Sequence, residues 1–418
     1  MVLDDICRDT YEKNLRKQRI ENLGNPAYEE PPTYDQYQKQ RKELVTEREA
    51  TTSATEMEPH YNILTPITLP IESIRSNGSL IHQSFSKSKI DLLEKILNDI
   101  MIETHSKGIS VSVGVPDKGI WSAARGITGN TEKEKITPDL KFYAGSIGKI
   151  FTATIILKLV EEGLLRLECP IAKWFPEIDW ANHITIDHLL THTSGIPGFD
   201  NVKEYESNKY RYRNPHEIIS YLENKKLLFK PGAHYAYSNT GYLMLGIIIE
   251  RITGKSYKET IEYYITNKIN LHETDVITSE SLKKLIVRGH HNGNVLTETD
   301  NYVFPFAAGS IISTPKDLII FFQTLMSGKL LTKDSLQKMV SDMNLMTVKQ
   351  TTYYGKGIVA ALGTPIGNII GHTGGIRGFG SSLFYHPEKN IFACVMLNDD
   401  IKAADPAMFK LMETMMKM

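Results

Sequence analysis

Ser146 and Lys149 lie three residues apart at the start of a predicted apolar helix over residues 146–162. Side chains at this spacing share one face of a helix, and the first helical turn offers unpaired backbone N–H groups and a positive dipole end. That setting suits a serine nucleophile whose carbonyl substrate develops negative charge. Lys149 has apolar neighbours, and desolvation there favours the neutral amine, which can accept the serine proton. Because serine and lysine are common, the pair alone is weak support for such chemistry.

A Tyr-Ser-Asn run at residues 237–239 is the second pattern that could do chemistry. It follows a Lys-Pro-Gly turn and precedes an apolar helix, so its side chains are expected in a loop. Tyr237 could shuttle protons, and Asn239 could donate an amide hydrogen bond. The alternative, a loop in which Asn239 only caps the following helix, is favoured when the run is taken alone.

The third pattern, His-Thr-Gly-Gly at residues 372–375, lies on a predicted strand. Glycines let a substrate backbone lie close to a strand, and an N–H group on a strand edge can serve an oxyanion hole. A glycine-rich bulge is the alternative, and it has equal weight when the pattern is taken alone.

Hydrophobic periodicity predicts the elements that must position these residues. Apolar residues recur at helical spacing over residues 90–101, and two alternating runs predict a hairpin over 109–126. The middle of the chain, about 164–300, is mostly helical. Short strands and a terminal helix are predicted after it, at 357–362, 367–371, 381–385, 391–398 and 404–417. We therefore expect strands from both ends of the domain to form one sheet, with the middle helices as an inserted lobe. A ligand cleft is expected between the sheet and this helical lobe.

The order and spacing of the three patterns resemble those of the beta-lactamase-related serine hydrolases. This group includes class C beta-lactamases, D-alanyl-D-alanine carboxypeptidases, D-aminopeptidases and related esterases. The resemblance covers residues 90–400 and extends to the segments at 189–197, 237–242, 308–310 and 371–375. It implies an α+β fold of the beta-lactamase/transpeptidase type, in which an antiparallel sheet is flanked by N- and C-terminal helices and carries an inserted helical lobe.

The resemblance also implies a role for each candidate residue. Ser146 would be the nucleophile of a covalent acyl-enzyme, and Lys149 would help to deprotonate it. Tyr237 would relay a proton to the leaving group. Backbone N–H groups of Ser146 and Gly375 would form the oxyanion hole, and Asn239 would hold the substrate amide.

His372 narrows the expected activity, because typical beta-lactamases of this group have lysine at that position. A histidine is mostly neutral near pH 7, so it would hold a substrate carboxylate less firmly and could instead polarise Tyr237. Peptidase or esterase activity, on D-amino-acid substrates among others, is therefore expected ahead of efficient beta-lactam hydrolysis. Thr373 is expected to line the substrate site. Arg377 could clamp a carboxylate, although a surface arginine on a turn is the favoured alternative.

Composition divides the chain into two parts. The 418 residues have a net charge of −1, which argues against a strongly basic nucleic-acid-binding protein. Residues 1–60, however, contain 9 Lys or Arg, 13 Asp or Glu and few apolar residues. Such a segment cannot bury enough apolar surface to offset its ordering entropy. We therefore predict a largely disordered extension over residues 1–85 and a hydrolase domain over residues 86–418, with its helical lobe at about 150–300.

The extension also supports a second hypothesis, in which the fold is catalytically weak or inactive and serves binding or assembly. One segment has the form of a WW-domain ligand, Pro31-Pro32-Thr33-Tyr34. Four-residue patterns of this kind have high false-positive rates, and plain disorder is the favoured alternative. The leading hypothesis remains an enzyme that acts on a small-molecule or peptide substrate.

No metal or other cofactor is expected. His188 and His192 have a spacing found in metal sites, but no third ligand is evident, and zinc sites need at least three protein ligands. No apolar run reaches the ~18 residues that a membrane span needs, and the N-terminus has no apolar core of a secretory signal. We expect a soluble protein, either cytoplasmic or exported without a cleaved signal.

Overall fold

The computed structural model describes ten stretches of the chain: residues 62–63, 66–80, 84–129, 134–199, 214–222, 225–278, 287–296, 306–347, 350–400 and 404–418. Most of the predicted extension, including the segment Pro31-Pro32-Thr33-Tyr34, lies outside the described residues. The division of the chain at residue 85 therefore stays a prediction.

A large antiparallel sheet forms the centre of the domain. The strands of the described chain are β1 (Asn62–Ile63), β2 (Gly108–Val115), β3 (Gly119–Gly126), β4 (Phe142–Tyr143), β5 (His234–Tyr235), β6 (Asp275–Val276), β7 (His290–His291), β8 (Asn294–Val295), β9 (Ile311–Ser313), β10 (Asn344–Thr347), β11 (Gln350–Tyr354), β12 (Val359–Thr364), β13 (Gly367–Ile376), β14 (Phe379–His386) and β15 (Ile391–Leu397). Eight of them pair in the order β10-β11-β12-β13-β14-β15-β2-β3, with every neighbour antiparallel. The predicted hairpin is β2–β3, and it joins the C-terminal strands through β15.

Helices cover the sheet and form the lobe beside it. They are α1 (Ile71–Ile74), α2 (Lys87–Thr104), α3 (Gly148–Glu161), α4 (Ile186–Leu190), α5 (Pro215–Ser220), α6 (Asn239–Thr253), α7 (Tyr257–Ile261), α8 (Pro315–Met326), α9 (Lys333–Met339) and α10 (Ala404–Met416). The mixture of helices with an antiparallel sheet confirms the predicted α+β class.

The terminal helices α2 and α10 pack on one face of the sheet. In α2, Leu93, Leu97 and Ile100 recur at helical spacing and are buried, and in α10 the buried residues include Met408 and Leu411. These side chains form one apolar core with the residues of β2 and β15 that point toward the two helices. Both helices were predicted from the sequence, and both are confirmed.

The opposite face of the sheet packs against α8 and the helical lobe, whose centre is α3. Nearly every side chain of α3 is buried, from Gly148 to Leu159. Helix α6 lies beside it and ends at Gly254, which has a left-handed φ of 68°. A helix that is apolar all round belongs in a core, so α3 holds its N-terminal turn rigidly at the junction of lobe and sheet.

Part of the predicted extension packs on this domain. Ile71 and Ile74 are buried, and the backbone of Ile67 exchanges hydrogen bonds with Met343. Further upstream, β1 pairs with β5, which lies immediately before the Tyr-Ser-Asn run.

Candidate active site

Ser146 lies on a 3-10 turn, Gly145–Ile147, that leads directly into α3, and Lys149 lies in the first turn of α3. Lys149 is completely buried, and its Nζ lies 3.1 Å from Ser146 Oγ, 2.8 Å from Asn239 Oδ1 and 2.8 Å from the Ala308 carbonyl oxygen. In the neutral amine, two N–H groups can donate to Asn239 and Ala308, which leaves the nitrogen lone pair for the Ser146 hydroxyl. The arrangement therefore fits a base that takes the serine proton.

Asn239 and Tyr237 reach the same point from the start of α6. Helix α6 begins at Asn239 and its N-cap is Ser238, so Asn239 does not serve as the cap. Lys149 Nζ lies 4.9 Å from the centre of the Tyr237 ring and 5.3 Å from that of Tyr242. Tyr237 remains 39% exposed, so it forms part of the wall of the cleft beside the buried lysine.

Strand β13 brings its glycines to the turn that carries Ser146. Pairing between β12 and β13 extends only to Gly371, and beyond it the described residues pair with β13 solely through β14. A Cβ on Gly145 would lie 2.9 Å from the Gly375 nitrogen, and a Cβ on Gly374 would lie 2.0 Å from the Ala144 carbonyl oxygen. The close approach requires glycine at both positions and places the Gly375 backbone nitrogen beside the Ser146 turn.

His372 is placed differently from its predicted role. It is 3% exposed, its Nδ1 lies 2.5 Å from the Thr373 carbonyl oxygen, and its Nε2 lies 3.1 Å from the Tyr354 hydroxyl. Burial is the main cause that lowers the pKa of His372 to about 3, with a smaller electrostatic contribution from Lys149. The partners assign a neutral ring in which Nδ1–H donates to Thr373 and Nε2 accepts from Tyr354. The tyrosine that it contacts by hydrogen bond is therefore Tyr354, not Tyr237.

Thr373 and Arg377 lie on either side of the glycines. Thr373 is half-buried on β13, and Arg377 is half-buried in the turn between β13 and β14. That turn is anchored at Gly378, whose N–H donates to Asp400 Oδ2 at 2.8 Å and whose carbonyl accepts from the His290 N–H. Both residues thus lie close to Gly375 along the chain, and their predicted roles in binding substrate stay predictions.

Sequence reasoning missed two residues of this site, His192 and Tyr354. The His192 ring packs between Tyr237 and Tyr354, with ring centres 4.2 Å and 4.5 Å apart. Its Nδ1 accepts a hydrogen bond from the Ser238 N–H at 3.1 Å. In the sequence, His192 lies within the segment 189–197 that carries the family resemblance, and its spacing from His188 was weighed as a metal site and not favoured. In the described part of the chain, no group of three His, Cys, Asp or Glu residues could hold a metal ion.

A separate cavity of about 870 Å³ lies beside β3 and the start of α8, and none of the candidate catalytic residues lines it. Asp317 lines this cavity, but its Oδ2 accepts from the Glu273 N–H and the Thr274 hydroxyl. Glu273 in turn pairs with Lys141. Because these groups bind one another, we take the surroundings of Ser146, and not this cavity, as the candidate active site. No helix among the described residues is long and apolar enough to cross a membrane.

The fold is similar to that of many solved structures, including the following two. The D-amino acid amidase from Ochrobactrum anthropi SV3, solved with L-phenylalanine, superposes with a TM-score of 0.71 at 25% identity, over 79% of this chain and 99% of that chain. A D-stereospecific amidohydrolase from Streptomyces sp. superposes with a TM-score of 0.65 at 25% identity, over 77% of this chain and 96% of that chain.

Sequence comparison gives a family and curated relatives. The Beta-lactamase family model matches residues 93–412. Penicillin-binding protein 4* of Bacillus subtilis is 29% identical over 272 residues, which are 60% of this chain and 59% of that protein. Teichoic acid D-alanine hydrolase of Staphylococcus aureus is 27% identical over 213 residues, 50% of this chain and 49% of that protein. The chain spans about half the length of the curated relatives that it matches.

Proposed function

The chain belongs to the beta-lactamase family, and from this premise we propose that it is a serine hydrolase that forms a covalent acyl-enzyme on Ser146. The predicted family resemblance is confirmed. The observation that carries the proposal is the contact of Lys149 Nζ with Ser146 Oγ, at 3.1 Å, while Asn239 and Ala308 hold the rest of the amine. A buried amine held in this way is a suitable base for a serine nucleophile.

The reaction begins when neutral Lys149 accepts the Ser146 proton and Oγ bonds to the substrate carbonyl carbon. The carbonyl oxygen takes up the negative charge, which the backbone N–H groups of Ser146 and Gly375 stabilise. Tyr237 donates a proton to the leaving group as its bond to carbon breaks, and it recovers a proton through Lys149. Water then attacks the ester on Ser146 and releases the acid.

The proposed substrates are amides and esters of D-amino acids or short peptides, ahead of beta-lactams. The amidase and D-alanine hydrolase among the relatives support this class. The neutral state of His372 supports it too, because no charge at that position attracts a substrate carboxylate. Asn239 Nδ2 is the group that would donate to a substrate amide carbonyl, since Oδ1 accepts from Lys149.

Intact-mass measurement after treatment with a fluorophosphonate or a fluorescent penicillin tests the proposal. The wild-type protein should gain one adduct, and Ser146→Ala should gain none. Lys149→Arg introduces a guanidinium that stays protonated and cannot accept the serine proton, so this variant should be acylated at least about 100-fold more slowly. Lys158→Arg, on the same helix and paired with Glu161, is the matched control and should react like the wild type.

A panel of D-amino-acid amides, D-Ala-D-Ala peptides, short p-nitrophenyl esters and a chromogenic cephalosporin identifies the acyl group. Turnover of the amides or esters above the cephalosporin is expected. A wild-type protein that neither probe class modifies and that hydrolyses none of these substrates would exclude the proposed function.

A further inference from the structure

His192 has an unusual backbone for a buried residue. Its φ is 57°, in the left-handed region, and its side chain is 1% exposed. A residue other than glycine rarely adopts this conformation, and it persists only where the surrounding structure imposes it. The contacts that the conformation makes possible therefore indicate what the residue does.

Those contacts hold the two residues that flank Tyr237. The His192 carbonyl oxygen accepts from the Ala236 N–H at 2.9 Å, and His192 Nδ1 accepts from the Ser238 N–H at 3.1 Å. The ring itself lies against the Tyr237 ring, with centres 4.2 Å apart and planes 36° from parallel. One residue thus fixes the backbone on both sides of Tyr237 and supports its ring.

The hydrogen bond to Ser238 requires a neutral imidazole. Nδ1 must keep its lone pair to accept, so the ring proton lies on Nε2. Burial is the main cause that lowers the pKa of His192 well below its usual value. The titratable groups that face the ring come from every neighbouring element: Lys149 on α3, Tyr235 on β5, Tyr237 before α6, Tyr242 on α6, Tyr354 on β11 and His372 on β13.

We propose that His192 is a positioning residue that aims the Tyr237 hydroxyl at the leaving group of the substrate. This inference rests on the proposed function, since it assigns to Tyr237 the proton transfer of that reaction. His192 does not touch the substrate in this role. It acts through the loop at residues 236–238 and through the Tyr237 ring.

The test compares two substrates that differ in their need for a proton. An amine leaving group must be protonated, whereas p-nitrophenolate leaves without a proton. We therefore expect His192→Ala to lower kcat/KM for a D-amino-acid amide by at least about 10-fold more than for the matching p-nitrophenyl ester. Tyr237→Phe should show the same bias, because the hydroxyl that it lacks is the group that His192 positions.

Two further variants separate positioning from folding. Asparagine tolerates the left-handed region and can offer Oδ1 to the Ser238 N–H, so His192→Asn should restore most of the amide-to-ester ratio. His188→Ala, on α4 and bonded to the Thr185 backbone, should leave the ratio at the wild-type value. If His192→Ala does not fold, His192→Phe provides a ring without the acceptor and should show the same bias.

An equal loss of amide and ester hydrolysis in His192→Ala or His192→Phe would overturn the inference, since a general loss of structure affects both substrates alike. Failure of the wild type to hydrolyse either substrate is a different result. It would refute the proposed function itself, and the role of His192 with it.

Discussion

Lys149 and His372 are both buried basic residues, but only Lys149 is placed to act as a base. Lys149 Nζ lies beside Ser146 and donates to two neutral oxygens, Asn239 Oδ1 and the Ala308 carbonyl. His372 has both ring nitrogens bonded within the protein. A base must keep a lone pair for the reacting proton, so Lys149 can act as one and His372 cannot, although both lie in the same part of the cleft.

The low pKa of His372 predicts how stability depends on pH. An unfolded histidine binds a proton below about pH 6.5, whereas folded His372 binds one only near pH 3. The unfolded state therefore holds more protons between these values, and the free energy of unfolding falls as the pH is lowered, by about 1.4 kcal/mol per pH unit for one proton. His192 shifts in the same direction and adds to the slope.

His372→Gln should therefore reduce the slope of unfolding free energy against pH, between pH 6 and pH 4, by about one proton. Urea titrations at several pH values give this slope directly, whatever the absolute stability of the variant. His216→Gln, at an exposed position on α5, is the control and should keep the wild-type slope. An unchanged slope in His372→Gln would show that the folded ring takes up the proton as freely as the unfolded one.

The sequence predicted which residues lie at the candidate site better than it predicted their hydrogen-bond partners. Ser146 and Lys149 meet because the 3-10 turn that carries Ser146 leads directly into α3, and local spacing is sufficient to predict that contact. The partner of His372 is Tyr354, which lies on β11, two strands away in the sheet. Strand β12 lies between β11 and β13, so this contact depends on the register of both strand pairs. A local sequence pattern does not determine that register.

At the scale of elements, β13 brings its glycines against the turn that carries Ser146, where the proposed oxyanion hole would form. The pairing of β13 with β14 is regular from Ile370 to Ile376, so the glycines do not form a bulge, the alternative weighed from the sequence. Gly374 lies where the Ala144 carbonyl and the Ser381 hydroxyl leave no room for a Cβ. The Ser381 hydroxyl also donates to the Ala144 carbonyl, at 2.8 Å, and ties the turn to the sheet.

Gly374→Ala should displace the turn at residues 144–146 from the strand, because the new Cβ would lie 2.0 Å from the Ala144 carbonyl oxygen. Overpacking of this kind costs about 1–3 kcal/mol, and acylation of Ser146 should slow markedly as the pocket opens. Gly375→Ala is the matched control, since no described atom lies within 4 Å of its Cβ position.

Thermal unfolding measures the loss of stability, and the rate of adduct formation measures the slower acylation of Ser146. Gly375→Ala should unfold at the wild-type temperature. Any loss of activity in this variant would come from interference of the new methyl group with the bound substrate, not from a displaced turn. A Gly374→Ala protein with wild-type stability and wild-type acylation would contradict the close packing of turn and strand.

At the scale of the whole molecule, residues 66–80 lie within the predicted extension, residues 1–85, and yet they contact the domain. Residues 66–80 include Ile71 and Ile74, which are buried. The Ile71 N–H donates to Gln337 Oε1 at 3.0 Å, and Gln337 Nε2 donates to the Leu69 carbonyl at 2.9 Å. Averaging the composition over a long charged segment concealed these few apolar residues, although periodicity predicted the main elements of the domain and the family resemblance implied its fold.

Two truncations test this boundary. Removal of residues 1–61 should preserve ester hydrolysis and the unfolding temperature, because the contacts of residues 66–80 remain. Removal of residues 1–80 should lower the unfolding temperature by several degrees, since each buried isoleucine contributes roughly 1.5–3 kcal/mol. Circular dichroism on heating measures both, and equal temperatures for the two truncations would show that residues 66–80 add nothing to the domain.

The seam between β2 and β15 has a consequence for the order of events during synthesis. Phe392 pairs with Gly114 and Leu397 with Ile109, so the centre of the sheet joins segments almost 300 residues apart. Loop closure over that distance is slow. Ser146 is translated long before Gly375 and the strands β13 to β15. Until these strands have joined β2, the turn that carries Ser146 lacks its contact with Gly375, so the proposed activity is expected only after the seam between β2 and β15 has formed.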